Sequence, residues 1–107
     1  MQPIKHIDAD TVETLVKSGE AVLIDVREPE EYLQGYIKGA VFMPLSQCHP
    51  GHAPRNPDKA IIFYCKAGGR SQQACEAFAA TNAVCDFYNY AGGFDEWKDQ
   101  DRAIEYV

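Results

Sequence analysis

The sequence has little that would take it to a membrane or to a nucleic acid. No run of apolar residues approaches the roughly 18 that a bilayer span requires. The first residues, MQPIKHIDAD, lack both the basic stretch and the apolar core of a secretory signal. Positive charge is in deficit, with 10 Lys and Arg against 16 Asp and Glu. The resulting net charge of −6 argues against nucleic acid or an anionic membrane as the main partner. None of the four cysteines, Cys48, Cys65, Cys75 and Cys85, forms a C-x-x-C pair. Without a signal, free thiols and a cytoplasmic location are the expectation. No internal repeat or low-complexity segment is visible.

What is present is 107 residues, 46% apolar and 24% charged, which predicts a single globular domain over residues 1–107. The continuous apolar runs AVLID (21–25) and AIIFY (60–64) suit strands buried in a parallel sheet. PIKHI, GAVFMP (39–44) and CDFYNY (85–90) read as further strands. Helical patterns lie between them. Asp8 or Asp10 can cap the first, which places Val12, Leu15 and Val16 on one face and stops at Gly19. EPEEYLQG gives a short helix with Pro29 near its first position and Gly35 as its stop. SQQACEAFAAT turns Ala74, Cys75, Phe78 and Ala79 inward, with Asn82 as its stop, and AGGFDEWKD buries Phe94 and Trp97. This alternation predicts an α/β fold in three layers, a mostly parallel sheet of about five strands with helices on both faces. Residues 45–58, with three prolines and a glycine, form a long connection with a short helical turn near Leu45–Cys48.

In such sheets ligands bind beyond the carboxyl ends of the strands. Cys65 stands at that end of the most strand-like segment, followed by KAGGRS. A cysteine attacks as the thiolate. The helix that follows points unpaired N–H groups and the positive end of its dipole at the thiol. Gly68 and Gly69 are the residue type that takes φ > 0 and curls N–H groups inward. Lys66 and Arg70 add positive charge, and residues 60–75 contain no acid. The combination predicts an anion-binding nest around a reactive sulfur and a small anionic ligand.

At these residues the chain resembles the rhodanese family of single-domain sulfurtransferases. Cys65, Gly68 and Arg70 match the family's loop, C-x-x-G-x-R. DVREPEEYLQGYIKGAVFMP matches its upstream segment through Asp25, Arg27, Glu31, Tyr32, Gly35, Ile37, Gly39, Ala40 and Pro44. YAGGFDEW matches its C-terminal G-G-x-x-x-W through Gly92, Gly93 and Trp97. The resemblance spans nearly the whole chain. One departure is Tyr36, where the family usually has histidine; it is expected to pack or hydrogen-bond in that residue's place.

The resemblance implies transfer of sulfane sulfur through a persulfide on Cys65, from a donor such as thiosulfate to cyanide or a thiol, with a protein acceptor also open. The backbone of Lys66, Ala67, Gly68, Gly69, Arg70 and Ser71 would hold the persulfide's charge. Lys66 would attract the anionic donor. Arg70 would reach the donor or fix the shape of the loop. Ser71 would cap the helix and donate toward the sulfur. Asp25 and Arg27 would form structural ion pairs that support loops near the site. No cofactor or metal is implied.

Two other classes compete. Phosphatases and arsenate reductases on this fold use C-x5-R, but here four residues separate Cys65 from Arg70 and the ring of N–H groups is tighter. A non-enzymatic sulfur-carrier or regulatory module would keep the fold and serve one protein partner. The remaining features read as structure. Cys48, His49 and His52 form an exposed loop, His6 sits at a strand edge, the EPEE acids face a helix N-terminus, and Cys48 and Cys75 are spare reduced thiols.

Overall fold

A computed structural model describes residues 4–46, 58–81 and 85–107. Five parallel strands form the central sheet: β1 (Lys5–His6), β2 (Ala21–Asp25), β4 (Val41–Phe42), β5 (Ala60–Tyr64) and β6 (Phe87–Tyr90), in the spatial order β1-β6-β5-β2-β4. The two charge-poor runs, β5 and its partner β2, pair in register from Ala21 with Ala60 to Asp25 with Tyr64. β6 lies on the other side of β5, with Tyr64 opposite Tyr90. β5 is therefore central, as its unbroken apolar composition requires.

The helices α1 (Ala9–Lys17), α2 (Pro29–Tyr32), α3 (Gly69–Ala79) and α4 (Gly93–Asp99) fill the connections. Asp8 caps α1 by accepting from Thr11 N at 2.9 Å, and Gly19 leaves the helix at φ +76°. Strand alternation then divides the core in two. Ile61 and Phe63 of β5 pack with Cys65, Ala74, Cys75, Phe78 and Phe87 on the α3 side. Ile62 and Tyr64 pack with Val12, Leu23, Tyr90, Phe94 and Trp97 on the α1 and α4 side. Cys65 continues the alternation past the end of β5, and its side chain falls on the α3 face.

Two expectations need correction, and one small sheet was not anticipated. GAVFMP forms a strand only at Val41–Phe42. Gly39 turns the chain at φ +89°, and Pro44 brings no N–H for the ladder. Residues 36–37 and 104–105 instead pair as a small antiparallel sheet of β3 (Tyr36–Ile37) and β7 (Ile104–Glu105). Two-residue strands leave no periodic pattern to read. Finally, α3 begins at Gly69, two residues before the periodic pattern does. Asn82, most of the 45–58 connection, and Cys48, His49 and His52 lie outside the described residues.

Candidate active site

The site is assembled by the junction of β5 and α3. Cys65 directly follows the last residue of β5 and is 1% exposed. Gly68 is the N-cap of α3 and alone supplies the left-handed turn, at φ +99°. A Cβ on Gly68 would stand 2.6 Å from the Ala91 carbonyl oxygen, so space as well as conformation requires glycine. Gly69 differs from expectation. It is already helical, and an added Cβ would meet nothing within 4 Å. One left-handed residue suffices to swing the chain from strand into helix.

That turn aims donors at the sulfur. The N–H of Gly68 lies 3.0 Å from Cys65 Sγ, and the Ser71 hydroxyl lies 3.5 Å away. Burial opposes ionisation of Cys65. Hydrogen bonds from the Ser71 side chain and from the N–H groups of Ser71, Gly68 and Ala67 outweigh it and hold the thiol below its usual range. Ser71 does not cap α3, since Gly68 holds the N-cap. Its Oγ sits 3.1 Å from the Gly68 carbonyl and 2.6 Å from Asn89 Oδ1.

The carbonyls of the loop are turned outward by α4. Phe94 N donates to the Cys65 carbonyl at 2.8 Å and Asp95 N to that of Lys66 at 3.2 Å. Gly93, at φ +66°, is what permits this approach. A Cβ there would lie 2.5 Å from the Lys66 oxygen and 2.6 Å from that of Cys65. Gly93 of the C-terminal glycine pair is thus part of the loop's support. With its carbonyls engaged by α4, the loop keeps its N–H groups for the sulfur.

Arg70 turns away from the sulfur. Its Nη1 and Nη2 donate to Glu31 Oε1 and Oε2 at 2.6 and 2.9 Å. Glu31 also accepts from Glu28 N at 3.1 Å. The paired guanidinium lowers the Glu31 carboxyl to about 2. Arg70 therefore clamps the start of α3 to α2. Lys66 is exposed beside a cavity of about 200 Å³ that Lys98, Arg27 and Phe94 also line, and Cys65 does not line it. A larger cavity of about 400 Å³ lies against Val16, Leu23 and Trp97 on the face away from α3 and holds none of the site residues.

Asp25 and Arg27 form a buried ion pair below the loop. Arg27 Nη2 donates to Asp25 Oδ2 at 2.8 Å and to the Gly35 carbonyl at 2.7 Å. The Tyr64 hydroxyl donates to Asp25 Oδ2 at 2.6 Å and accepts from Ile37 N at 3.1 Å. The guanidinium carbon stands 4.2 Å from the centre of the Phe94 ring. Asp25 at the end of β2 is thereby linked to the residue that holds the loop carbonyls. Tyr36 packs: its ring stacks on Tyr32 at 4.4 Å, and Tyr32 stacks on Phe42 at 4.2 Å.

Asn89, Glu31 and Tyr64 were not singled out from sequence as site residues. A signal existed for Asn89, a carboxamide between the aromatic residues Tyr88 and Tyr90 of a strand pattern. It is 1% exposed. Glu31 matched the family's upstream segment, but its pairing with Arg70 left no local mark, because the two lie 39 positions apart.

Comparison with known proteins identifies the family and the fold. Residues 8–100 match a family profile described as Rhodanese-like domain. The chain is 40% identical over 78 residues to the uncharacterized protein YqhL of Bacillus subtilis (strain 168), covering 73% of this chain and 61% of that one. The chain thus spans less than two thirds of that relative's length. It is 30% identical over 102 residues to the Homo sapiens thiosulfate:glutathione sulfurtransferase, covering 82% and 88% of the two chains. The crystal structure of a rhodanese-like domain protein from Staphylococcus aureus superposes with a TM-score of 0.80 at 28% identity, covering 97% and 99%. The profile match covers most of the chain, and the chain belongs to the rhodanese-like domain family.

Proposed function

We propose that this chain is a sulfurtransferase that carries sulfane sulfur on Cys65. The observation that supports it most directly is the 3.0 Å contact of the Gly68 N–H with a buried sulfur at the start of α3. The Cys65 thiolate attacks the outer sulfur of an anionic donor such as thiosulfate. A bond forms between the two sulfurs, the donor's own S–S bond breaks, and sulfite leaves with its electron pair. The persulfide's terminal charge is stabilised by the N–H groups of Ala67, Gly68 and Ser71. A thiophilic acceptor, cyanide or a thiol, then takes the terminal sulfur and the Cys65 thiolate returns. Lys66 draws the donor in from solvent. Residues 1–107 act as one unit, and the three described cysteines, all free thiols, suit a reducing compartment such as the cytoplasm.

Mass spectrometry of the intact protein after thiosulfate tests this. A gain of one sulfur is expected, reversed by cyanide and absent in Cys65→Ala. No gain, or a gain that persists in Cys65→Ala, would overturn the reading, as would hydrolysis of an aryl phosphate without sulfur loading.

A further inference from the structure

Ser71 carries one hydroxyl proton and faces three acceptors. Asn89 Oδ1 lies 2.6 Å from its Oγ, the Gly68 carbonyl 3.1 Å and the Cys65 sulfur 3.5 Å. The sulfur is the most distant of the three. With the amide oxygen toward Ser71, the hydroxyl proton goes to Asn89, and a Cys65 thiol completes the chain by donating S–H to Oγ. That arrangement serves the thiol. The thiolate has no proton of its own and needs the one on Ser71. Turning that proton to sulfur with the amide unmoved would set a hydroxyl lone pair against an amide oxygen at 2.6 Å.

A half-turn of the Asn89 carboxamide removes the conflict at Ser71 and gives up the Nδ2–H bond to the Gly68 carbonyl. Its two ends are alike in shape, so packing is unchanged, and Nδ2 then donates to Ser71 Oγ. The same half-turn carries Oδ1 to where Nδ2 now stands, 3.4 Å from the Gly68 carbonyl oxygen and 3.5 Å from His6 Nδ1. The Gly68 oxygen offers no proton. His6 can offer one, and a protonated imidazole always carries it at Nδ1. The register of β1 on β6, His6 opposite Asn89, keeps the two side by side.

We propose that Asn89 is a positioning residue whose amide, coupled to His6, sets whether the Ser71 hydroxyl donates to the Cys65 sulfur. This rests on Cys65 as the nucleophile of the proposed function and refines how its anion is held. On ionisation the Cys65 proton passes to solvent, the Ser71 proton turns from Asn89 to sulfur, and the amide turns over. The His6 Nδ1–H then takes the amide oxygen. Only the S–H bond breaks. Of the neighbouring charges, Arg70 on α3 is held by Glu31 of α2, and Lys66 lies exposed in the loop. On the β1 side, the Lys5 ammonium rests over the Tyr88 ring of β6, and Asp8 accepts from Thr11 N at the start of α1.

The test is the rate at which iodoacetamide alkylates Cys65 across pH, resolved by peptide mass spectrometry from the other cysteines. His6→Phe removes the proton donor at an exposed position. Its Cys65 should react about threefold more slowly than in the wild type. In a Ser71→Ala background the same substitution should change nothing. Asn89→Asp, which has no N–H to offer Ser71, should slow the reaction about tenfold, and less when Ser71 is Ala. A wild-type rate for His6→Phe at every pH would overturn the proposal, as would an equal loss without Ser71, the mark of a simple field effect. Alkylation involves no sulfur transfer. Failure of thiosulfate to load Cys65 would therefore count against the proposed function and leave this result standing.

Discussion

Arg70 meets Glu31 through both of its terminal nitrogens, at 2.6 and 2.9 Å, and so ties the first turn of α3 to α2. The Cys65 charge and the Arg70 guanidinium still attract. Glu31→Gln would remove the opposing charge and leave Arg70 more effective toward the thiolate. Cys65 should then alkylate about two- to fivefold faster at acidic pH. Both side chains are about a third exposed, 34% and 29%, and the stability change should stay under about 1 kcal/mol. The Glu31 carboxyl falls from an ordinary 4.5 to about 2, chiefly through Arg70. A lowered carboxyl adds stability that is complete above 4.5 and disappears as pH falls toward 2. Thermal midpoints should drop through that window in the wild type and less in Glu31→Gln. Identical profiles would mean that the pair is not formed in solution.

The two loop glycines should behave oppositely. Gly68→Val places a branched side chain at φ +99° and against the Ala91 carbonyl oxygen. It should cost upward of about 2 kcal/mol and raise the pH at which Cys65 becomes reactive. Gly69→Ala adds a methyl to open space at the first helical position and should be neutral or stabilise by up to about 1 kcal/mol. Urea denaturation and Cys65 alkylation read both. Equal damage from the two would contradict the assignment of the turn to Gly68.

These glycines also mark what the sequence could and could not carry. The strand β5, the thiol at its end and the helix after it were legible because each follows from a local pattern. Which glycine turns the chain was not, since composition offers two and only the folded backbone, at φ +99° on Gly68 and close to Ala91, distinguishes them. Asp25 and Arg27 could be read as an ion pair two positions apart. The Tyr64 hydroxyl that completes it comes from the neighbouring strand, where a buried tyrosine resembles any other core aromatic. Glu31 read as a helix-start acid because its partner is remote in sequence. Short strands such as β3 and β7 escape because pairing across the fold creates them.

The buried pair beneath the loop leads to an ordering of effects. Asp25→Ala would leave the Arg27 guanidinium, 3% exposed, with the Gly35 carbonyl as its remaining described acceptor. An uncompensated buried charge costs about 3–5 kcal/mol. Tyr64→Phe deletes the donor to Asp25 and the acceptor for Ile37 N, for about 1–3 kcal/mol. Burial and the Asp25 charge raise the Tyr64 hydroxyl well above its usual range, so it stays a donor at any ordinary pH. Denaturant unfolding should therefore rank Asp25→Ala as more damaging than Tyr64→Phe. The reverse order would mean that Asp25 is not the carboxylate that balances Arg27.

Cys75 provides a contrast within the same cluster. It packs with Phe78, Phe87 and Cys65, yet burial pushes its thiol up to about 12, with the Glu76 charge adding to the effect. No loop directs N–H groups at it, because its own backbone bonds belong to α3. Two thiols on one face of the sheet thus differ by what surrounds the sulfur rather than by exposure, since Cys65 is 1% and Cys75 0% exposed. Brief treatment with iodoacetamide near pH 8 should label Cys65 and spare Cys75 until the protein unfolds. Cys75→Ser would set a hydroxyl among apolar neighbours and should cost about 1–3 kcal/mol while sulfur loading by thiosulfate continues. Labelling of both thiols at similar rates in the folded protein would show that the loop around Cys65 is not what activates it.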